Sequence, residues 1–573
     1  MGQSLEVSSS RDARPLSKDR AVAWTLVAFL IFLFLALVNL RDVWQAGPAS
    51  HALVSGEGGG LAIARGDVTF EAWLVARHAR VLLRDPTALF DTEHCAPAEK
   101  TLTLGVPMIT MGLLATPVAL LTPNPALAYN FATLVLWLIS AMAMYLLVKD
   151  WTGSAAAGIV AGIFYALGPW RVMSTVEHPS VYDSAWTIFA LYFAQRFFAH
   201  GRWRDALGLA LSCLLQIAAS FYMLMCAVFF SPAFALWLVL RDRFEKVRLT
   251  QILFLLVSVS LSAFLVLGPY LEARDSGLIG DRQWFFYLPA QAFFAGGLFF
   301  LGWSALILAA VGLSVPRKAA APAIEGDPRW ALGIGALLVA VIAAGPMNNS
   351  LLELIWEQPP IRIPNFYLLL AEAVPGLDSI RVVVRLGVAM LITLCILAGI
   401  GAAWLIRIFP TRFPLVGCTL IGIAILTVLS GGSSREVSVV KVAADPAEVS
   451  FFDSLEQMGN EGPVLELPFA SGLSRSTDAP PRILLSAYHE RRISTCFGSY
   501  RKPHRKELKR LVAKLPSRGA VRGLRELGFT TVVVRQMHSR ANAILKRKLK
   551  RSRDSKMPLL LEQGDLSAYA LEP

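Results

Sequence analysis

Residues 21–40 form a twenty-residue run without a charged side chain, and Arg11, Arg14, Lys18 and Arg20 stand before it. A helix crosses a bilayer core of about 30 Å with about 20 apolar residues, so this run has the length of a membrane span. A cleavable signal peptide has a shorter apolar core and a small-residue cleavage site. We therefore predict a retained first span, preceded by a cytoplasmic N-terminal arm of residues 1–20, because basic flanks prefer that side.

Eleven further apolar segments follow. Hydrophobic residues make up 55% of the 573 residues and charged residues 17%, which is far from the balance of a soluble protein. The segments are 104–121, 127–148, 155–167, 185–198, 206–219, 221–240, 252–267, 292–313, 331–344, 386–406 and 415–429. The predicted fold is therefore an α-helical polytopic membrane protein, with a transmembrane domain at 21–430 and a soluble domain at 431–573.

Basic residues in the loops orient these segments, because lysine and arginine in short loops prefer the cytoplasm. If the later segments cross alternately, the basic loops from Lys149 onward all lie on one side of the membrane. That side is the cytoplasmic one only if one of the segments before Lys149 does not cross. Segment 104–121 is interrupted by Pro107 and Pro117, which remove helix hydrogen bonds. We predict that it does not cross, which gives about eleven crossings and places the C-terminal domain outside. The alternative is that 206–240 crosses once as a broken helix.

The C-terminal domain, 431–573, is strongly basic. It has 25 lysines and arginines against 15 acidic residues, which accounts for +10 of the chain's net charge of +13. Such a surface fits anionic lipid headgroups, or an acidic polymer or lipid phosphate as a partner, and we predict no binding of nucleic acid. Strand-like runs at 463–468, 530–534 and 567–571 and a helix at 506–514 predict a small α/β domain.

The six cysteines show no metal-binding spacing. Cys213, Cys226, Cys395 and Cys418 lie in apolar segments, where cysteine packs as a small hydrophobic residue. Cys95 and Cys496 both fall in parts predicted to be extracytoplasmic, an oxidising environment that allows a disulfide between them.

The first outer loop, 41–100, carries carboxylates at Asp67, Glu71 and Asp91. Apolar residues recur at helical spacing after Asp67, which predicts a helix along the membrane surface with Asp67 near its start. One interpretation is that Asp67 caps this helix, since aspartate is favoured there. The other is that Asp67 is a general base acting on the hydroxyl of an acceptor, with Glu71 and Asp91 lining the same site.

The second outer loop, 169–184, contains Arg171, Glu177 and His178. Arg171 at the membrane boundary either extends towards the headgroups or holds a lipid-linked phosphate through two donors. His178 beside Glu177 is either a hydrogen-bonded structural residue or part of the lining of the site.

The third outer loop, 347–385, ends with Arg381 and Arg385. These arginines are four residues apart and share one face of a helix. They fit a clamp for an anion, or anchors in the lipid headgroups.

The order of short motifs in these loops is distinctive. The motifs are Gly66-Asp67, Leu89-Phe90-Asp91, Asn124-Pro125-Ala126-Leu127-Ala128-Tyr129-Asn130, Pro169-Trp170-Arg171 with His178, and Pro375-Gly376-Leu377 with Arg381 and Arg385. In this order the chain resembles the bacterial type C (GT-C) glycosyltransferase superfamily, whose members include protein O-mannosyltransferases and the lipid A aminoarabinose transferase. The resemblance spans most of the chain, including the C-terminal domain.

The resemblance implies inverting transfer of a sugar from a polyprenyl-phosphate donor to a glycan, lipid or protein acceptor, on the extracytoplasmic face of a bacterial inner membrane. It assigns the role of general base to Asp67 and binding of the donor phosphate to Arg171, Arg381 and Arg385. Many members carry two adjacent acidic residues in the first loop, whereas Val68 follows Asp67 here. No cofactor is identified, and no ligand cluster supports a divalent metal.

Two other functions fit a chain of this kind. A transporter or flippase of lipid-linked sugars would place polar residues in paired half-helices at the bilayer midplane, but the apolar segments here carry almost no charges. This favours chemistry at the outer surface. A non-catalytic membrane assembly protein on the same scaffold is the third interpretation.

Overall fold

The computed structural model describes residues 18–55, 58–171, 178–179, 181, 183–278, 290–293, 297, 299–344, 347–348, 363–364, 367–374, 377, 380, 382–409, 412–430, 437–459, 461–469, 474–498, 504–535 and 557–572. The helices of the membrane part are α1 (Lys18–Asn39), α2 (Arg41–Ala46), α3 (Gly58–Arg84), α4 (Ile109–Ala119), α5 (Pro125–Thr152), α6 (Ala155–Leu167), α7 (Ala185–His200), α8 (Trp203–Ala219), α9 (Phe221–Asp242), α10 (Leu249–Asp275), α11 (Trp303–Ser314), α12 (Arg317–Ala320), α13 (Arg329–Ala343), α14 (Tyr367–Ala373), α15 (Val388–Ile408) and α16 (Phe413–Leu429). Those of the C-terminal part are α17 (Pro446–Gln457), α18 (Ser474–His489), α19 (Arg505–Ala513) and α20 (Arg518–Glu526). The strands are β1 (His51–Ser55), β2 (Met347–Asn348), β3 (Ile363–Pro364), β4 (Val437–Lys441), β5 (Val464–Leu467), β6 (Thr531–Arg535), β7 (Leu559–Gln563) and β8 (Leu566–Ala570).

Each of the twelve predicted apolar segments overlaps one of these helices, which supports the prediction of a multi-pass helical membrane protein. Five helices have the length and composition of a membrane span: α1 without its first residue, α5, α9, α10, and α15 with the preceding 3-10 turn. Helix α4 and the helices α11, α13 and α16 are apolar but shorter. The number of eleven crossings stays a prediction.

Segments 104–121 and 206–240, the two for which an irregular crossing was considered, have different structures. Helix α4 has eleven residues and contains Pro117, so it is too short to cross a bilayer core in one straight helix. Within residues 206–240 the helical backbone is interrupted only at Ser220, whose extended conformation separates α8 from α9. Both topologies considered from the sequence therefore stay predictions.

Helices α6 and α15 lie at the centre of the membrane part. Every side chain of α6 is buried, as are most of those of α15. Helix α15 approaches α11 so closely that a Cβ added at Gly312 would lie 1.9 Å from the carbonyl oxygen of Leu397, and one at Gly401 would lie 2.1 Å from that of Leu308. Glycine at these two positions lets the backbones pack directly against each other, as small residues do in membrane helix pairs.

Local signals in the sequence fix the hairpin between α5 and α6. Asn124 accepts a hydrogen bond from the amide of Leu127 at 2.8 Å, and Pro125 occupies the first helical position. At the other end, Gly153 adopts the left-handed conformation, and Ser154 then caps α6. The short turn makes α5 and α6 antiparallel neighbours.

The C-terminal domain has a four-stranded sheet in the order β5-β6-β8-β7, with β5 parallel to β6 and the other pairs antiparallel. The three predicted strands and the predicted helix correspond to β5, β6, β8 and α19. A separate antiparallel pair joins β1 of the first outer loop to β4, with His51 opposite Lys441. The first loop and the start of the C-terminal region therefore form one structure.

One expectation about the first loop is wrong. The helix that contains Asp67 begins at Gly58 and is 27 residues long, so Asp67 lies inside it and is not a cap. Three glycines begin this helix, and because glycine is a poor helix former the additional turns could not be recognised from the sequence. The helix packs against α4 and α18 rather than lying alone on the membrane surface.

Candidate functional site

A carboxylate pair on α3 forms the first part of the candidate site. Asp67 and Glu71 are one helical turn apart and therefore share a face of α3. The Glu71 side chain is buried, whereas 28% of the Asp67 side chain is exposed. Of the two carboxylates, Asp67 is the one that a solvent-borne or membrane-borne substrate can reach.

His178, from the second outer loop, lies between these carboxylates. Its Nδ1 atom is 2.7 Å from Oε1 of Glu71, which is a hydrogen bond, and its Nε2 atom is 3.8 Å from Oδ2 of Asp67, which is too long for one. When Nδ1 donates to Glu71, the Nε2 lone pair of the neutral ring faces Asp67. A proton taken up by Asp67 therefore has an acceptor close by.

The positions of Asp67, Glu71 and His178 also determine whether these side chains could bind a metal ion together. The two carboxylates lie at opposite nitrogens of the His178 ring, so the three side chains do not converge on a common point. Among the residues that the structure describes, no group of three histidine, cysteine or acidic side chains is arranged to hold a metal ion.

The loop that carries His178 is anchored by Asp183, a residue that sequence reasoning did not identify. Oδ2 of Asp183 accepts hydrogen bonds from Thr110 of α4 at 3.0 Å and from the indole of Trp186 at 2.9 Å. Its backbone carbonyl accepts from Gln216 of α8 at 3.0 Å. A further bond joins the hydroxyl of Ser220 to the carbonyl of Val181 at 3.0 Å. Helices α4 and α8 thus hold the loop in place.

Asp183 is completely buried. Burial raises the pKa of Asp183 to about 6, although its two hydrogen bonds and the positive charge of Arg171 act in the opposite direction. The cause is that a carboxylate loses its hydration inside the protein, and this disfavours the charged form.

The two candidate arginines that the structure describes are held by aromatic rings. Arg171 is fully buried, donates from Nη2 to Ser140 of α5 at 3.1 Å, and lies with Cζ 5.4 Å from the centre of the Trp170 ring. Arg385 is half-buried, with Cζ 4.8 Å from the ring of Tyr222. Stacking on an aromatic face orients a guanidinium group without neutralising its charge.

Of the remaining candidate residues, the structure describes only Asp91. Asp91 is exposed and accepts a hydrogen bond from the backbone amide of Lys100 at 2.7 Å, so it stabilises a turn. Glu177 and Arg381 lie outside the described residues. The sequence placed His178 beside Glu177, while its carboxylate neighbours in the fold are Asp67 and Glu71.

Arg77 is a second residue whose role sequence reasoning missed. It is buried on α3, binds Glu93 at 3.0 Å, and donates to the carbonyl oxygens of Ala88, Leu89 and Asp91 at 2.6 to 2.7 Å. One side chain therefore holds the whole turn that follows α3. An arginine in an outer loop gave no signal for this role, because its partners are backbone carbonyls.

The C-terminal domain covers helix α3. The disulfide that the sequence allowed between Cys95 and Cys496 is formed. The backbone amides of Cys95 and Ala96 donate to the carbonyls of Thr495 and Ile493, each at 2.9 Å.

Side chains of α3 strengthen this contact. Arg80 and Arg84 form ion pairs with Glu490 at 3.3 and 3.0 Å. Phe70, three residues after Asp67, packs on Phe497 with ring centres 5.1 Å apart. Helix α3 is therefore held between the membrane part and the C-terminal domain.

Comparison with known proteins gives a likeness of structure only, since no family model and no curated protein matches the chain. The chain is similar to the arabinofuranosyltransferase AftD from Mycobacteria, with a TM-score of 0.50 and 15% identity over 96% of this chain and 40% of that one. A mutant form of AftD gives a TM-score of 0.52, again with 15% identity, over 96% and 41%. The archaeal oligosaccharyltransferase AglB from Archaeoglobus fulgidus, solved with an inhibitory peptide and a dolichol-phosphate, gives 0.41 and 10% identity over 90% and 70%.

The chain thus spans about two fifths of the length of AftD. The likeness extends over almost all of this chain, so it includes the outer loops and the C-terminal domain as well as the apolar helices. The protein therefore has the fold seen in the arabinofuranosyltransferase AftD.

Proposed function

We propose that the protein transfers a sugar from a polyprenyl-phosphate donor to an acceptor hydroxyl at the extracytoplasmic face of the membrane, with inversion and with Asp67 as the general base. The observation that carries this proposal is the arrangement of Asp67, His178 and Glu71, which joins two outer loops in a fold shared with a glycosyltransferase.

The geometry supports Asp67 rather than Glu71 as the base. Glu71 is buried and already bonded to His178, whereas Asp67 is the more exposed carboxylate. In the proposed step, the acceptor oxygen attacks the anomeric carbon from the face opposite the phosphate. The acceptor proton moves to Asp67 as the bond to the donor phosphate breaks. His178 is held by Glu71 and lies where its Nε2 atom can take up that proton.

The leaving group requires positive charge. Departure of polyprenyl phosphate concentrates negative charge on its oxygens, so cations close to it stabilise the transition state more than the ground state. Arg385 is half-buried and is the better placed of the two described arginines to contact the phosphate. Arg171 is buried and acts through its charge unless the loop rearranges. Arg381 is proposed with them from its position in the sequence.

The side of the membrane is proposed from two observations. The basic residues before α1 favour a cytoplasmic N-terminus, and with eleven crossings this places the first outer loop and the C-terminal domain outside. The disulfide between Cys95 and Cys496 supports the same side, because disulfides persist in the periplasm and other oxidising compartments. The proposed partners are therefore a lipid-linked sugar, a glycan, lipid or protein acceptor, and the surrounding lipids.

The test uses the purified full-length protein in lipid nanodiscs, radiolabelled polyprenyl-phosphate sugars and a membrane extract as the source of acceptor. We expect the wild-type protein to transfer label. Asp67→Asn should lower the rate by about 10²- to 10⁴-fold, which is the usual contribution of a general base. It should also remove the acidic limb of the pH–rate profile. Glu71→Gln, which keeps a partner for His178, should have a smaller effect.

Glu99→Gln is the matched control, since Glu99 is an exposed carboxylate in the same loop. Equal transfer by the wild-type protein and Asp67→Asn would show that Asp67 is not the base. A transporter of lipid-linked sugars, reconstituted in sealed proteoliposomes, would move the labelled donor across the bilayer without labelling any acceptor. That result would contradict the proposed reaction as a whole.

A further inference from the structure

A groove of about 530 Å³ lies between α1 and α5. It is lined by Ala21, Val22, Thr25, Leu26, Phe29, Met142 and Lys149. The α1 side chains on this surface are well exposed, with Val22 at 68% and Leu26 at 57%. On a helix with the composition of a membrane span, exposed apolar side chains of this kind face lipid.

Lys149 is the one charged residue in this lining. Its Nζ atom donates to the hydroxyl of Thr25 at 3.2 Å and lies 5.0 Å from the centre of the Tyr145 ring. Within the part of the chain that the structure describes, no carboxylate comes within 4 Å of it, and the adjacent Asp150 is paired with Arg196 at 2.8 Å. The ammonium group is thus held in position by two neutral groups while its charge has no counter-ion.

We propose that this groove binds an anionic phospholipid, with an acyl chain along the apolar wall and the headgroup phosphate on Lys149. The occupant follows from the combination of exposed apolar side chains on a helix with the composition of a membrane span and a single cation at one end of the groove. A half-buried ammonium group at the edge of the membrane is stabilised by an anion, and the negative headgroups of the inner leaflet provide one.

The depth of Lys149 fits this assignment. Lys149 lies in the last turn of α5, where Gly153 donates back to its carbonyl, and it contacts Thr25 in the second turn of α1. That end of α1 follows the basic arm predicted to be cytoplasmic. The phosphate therefore sits at headgroup level, and the chain runs towards Phe29 and the bilayer interior. Bound lipid would add to the packing of α1, which is only lightly covered by the protein.

The proposal is tested by native mass spectrometry of the full-length protein, released from detergent after titration with phosphatidylglycerol or phosphatidylcholine. We expect selective retention of phosphatidylglycerol. Lys149→Ala should bind it about fivefold more weakly, the effect of one basic residue near an anionic surface. Lys149→Arg should restore binding. Leu26→Trp, which fills the groove at an exposed position, should reduce binding of both lipids.

Arg202→Ala is the matched control, because Arg202 is an exposed cation on a loop predicted to lie on the same side. This variant should bind phosphatidylglycerol as the wild-type protein does. Thermal unfolding measured in parallel establishes that each variant is folded. Equal retention by the wild-type protein and Lys149→Ala, or equal retention of the two lipids by the wild-type protein, would overturn the proposal.

Discussion

Asp183 makes the stability of this protein depend on pH in an unusual direction. The residue is fully buried at the point where the second outer loop enters α7, and its pKa is raised to about 6 by burial. Most carboxylates stabilise the folded state in their ionised form, but here the folded protein favours the protonated form. Replacing Asp183 by asparagine removes the titration and keeps an oxygen that can accept from Thr110 and Trp186.

The size of the effect follows from the difference between the pKa of about 6 and the ordinary value of 3.8. Each pKa unit corresponds to about 1.4 kcal/mol, so ionisation of Asp183 costs the folded state about 3 kcal/mol. Between pH 4 and pH 6 the unfolded chain releases this proton while the folded chain keeps it. The contribution is therefore present at about pH 4, declines as the pH rises, and is gone above about pH 7.

The measurement is chemical unfolding of the full-length protein in mixed micelles, followed by tryptophan fluorescence between pH 4.5 and pH 7.5. Other groups also titrate, so the informative quantity is the difference in unfolding free energy between wild type and Asp183→Asn at each pH. This difference should shift in favour of the variant by about 2 kcal/mol as the pH rises from 4.5 to 7.5. Asp453→Asn, at an exposed position on α17, should show no such trend. A constant difference for Asp183→Asn would refute the reasoning.

Two further predictions concern the contacts around α3. Changing Cys95 and Cys496 to serine should loosen the C-terminal domain by about 2 to 5 kcal/mol, the usual contribution of a disulfide. Limited proteolysis should then cut this domain faster, reduced wild-type protein should behave in the same way, and unchanged cleavage would show that the ion pairs suffice. Arg77→Lys should destabilise the protein by about 1 to 3 kcal/mol, because lysine keeps the charge but cannot reach Glu93 and three carbonyl oxygens together. Denaturant unfolding compares it with Arg84→Lys, whose side chain is mostly exposed, and equal stability of the two variants would contradict this role.

The apolar helices could be predicted from the sequence because a membrane span is a local property. About 20 consecutive apolar residues suffice to identify one, whatever it packs against. The strands β5, β6 and β8 were also visible as short β-branched or apolar runs. The pairing of β1 with β4 was not, since these strands are almost four hundred residues apart and neither carries a signal for its partner.

The candidate site was predictable only in part, for the same reason. The spacing of Asp67 and Glu71 places them on one helix face, and this requires no knowledge of the fold. The neighbours of His178 depend on how the second loop lies against α3, and the sequence suggested Glu177 because it is adjacent. Asp183 and Arg77 bind backbone and side-chain groups from other elements, so no pattern in their own segments distinguishes them from solvated residues.

The way α3 is held gives a physical reason for building a catalytic carboxylate on it. A general base is effective only if its oxygen stays within a fraction of an ångström of the productive position, and this precision requires that the supporting element be fixed on several sides. Near the middle of α3, His78 donates to the carbonyl of Pro107 at 2.8 Å, and a Cβ added at Gly112 would lie 2.3 Å from that of His78, so α4 lies directly against the helix. Close to its C-terminal end, Arg80 binds the carbonyl of Ala487 in the C-terminal domain at 2.9 Å. The arginines proposed to bind the phosphate belong to other elements of the membrane part, so the distance between base and leaving group is set by how these helices pack. In the proposed mechanism the C-terminal domain contributes by holding the Asp67 carboxylate still, even if none of its residues touches the sugar.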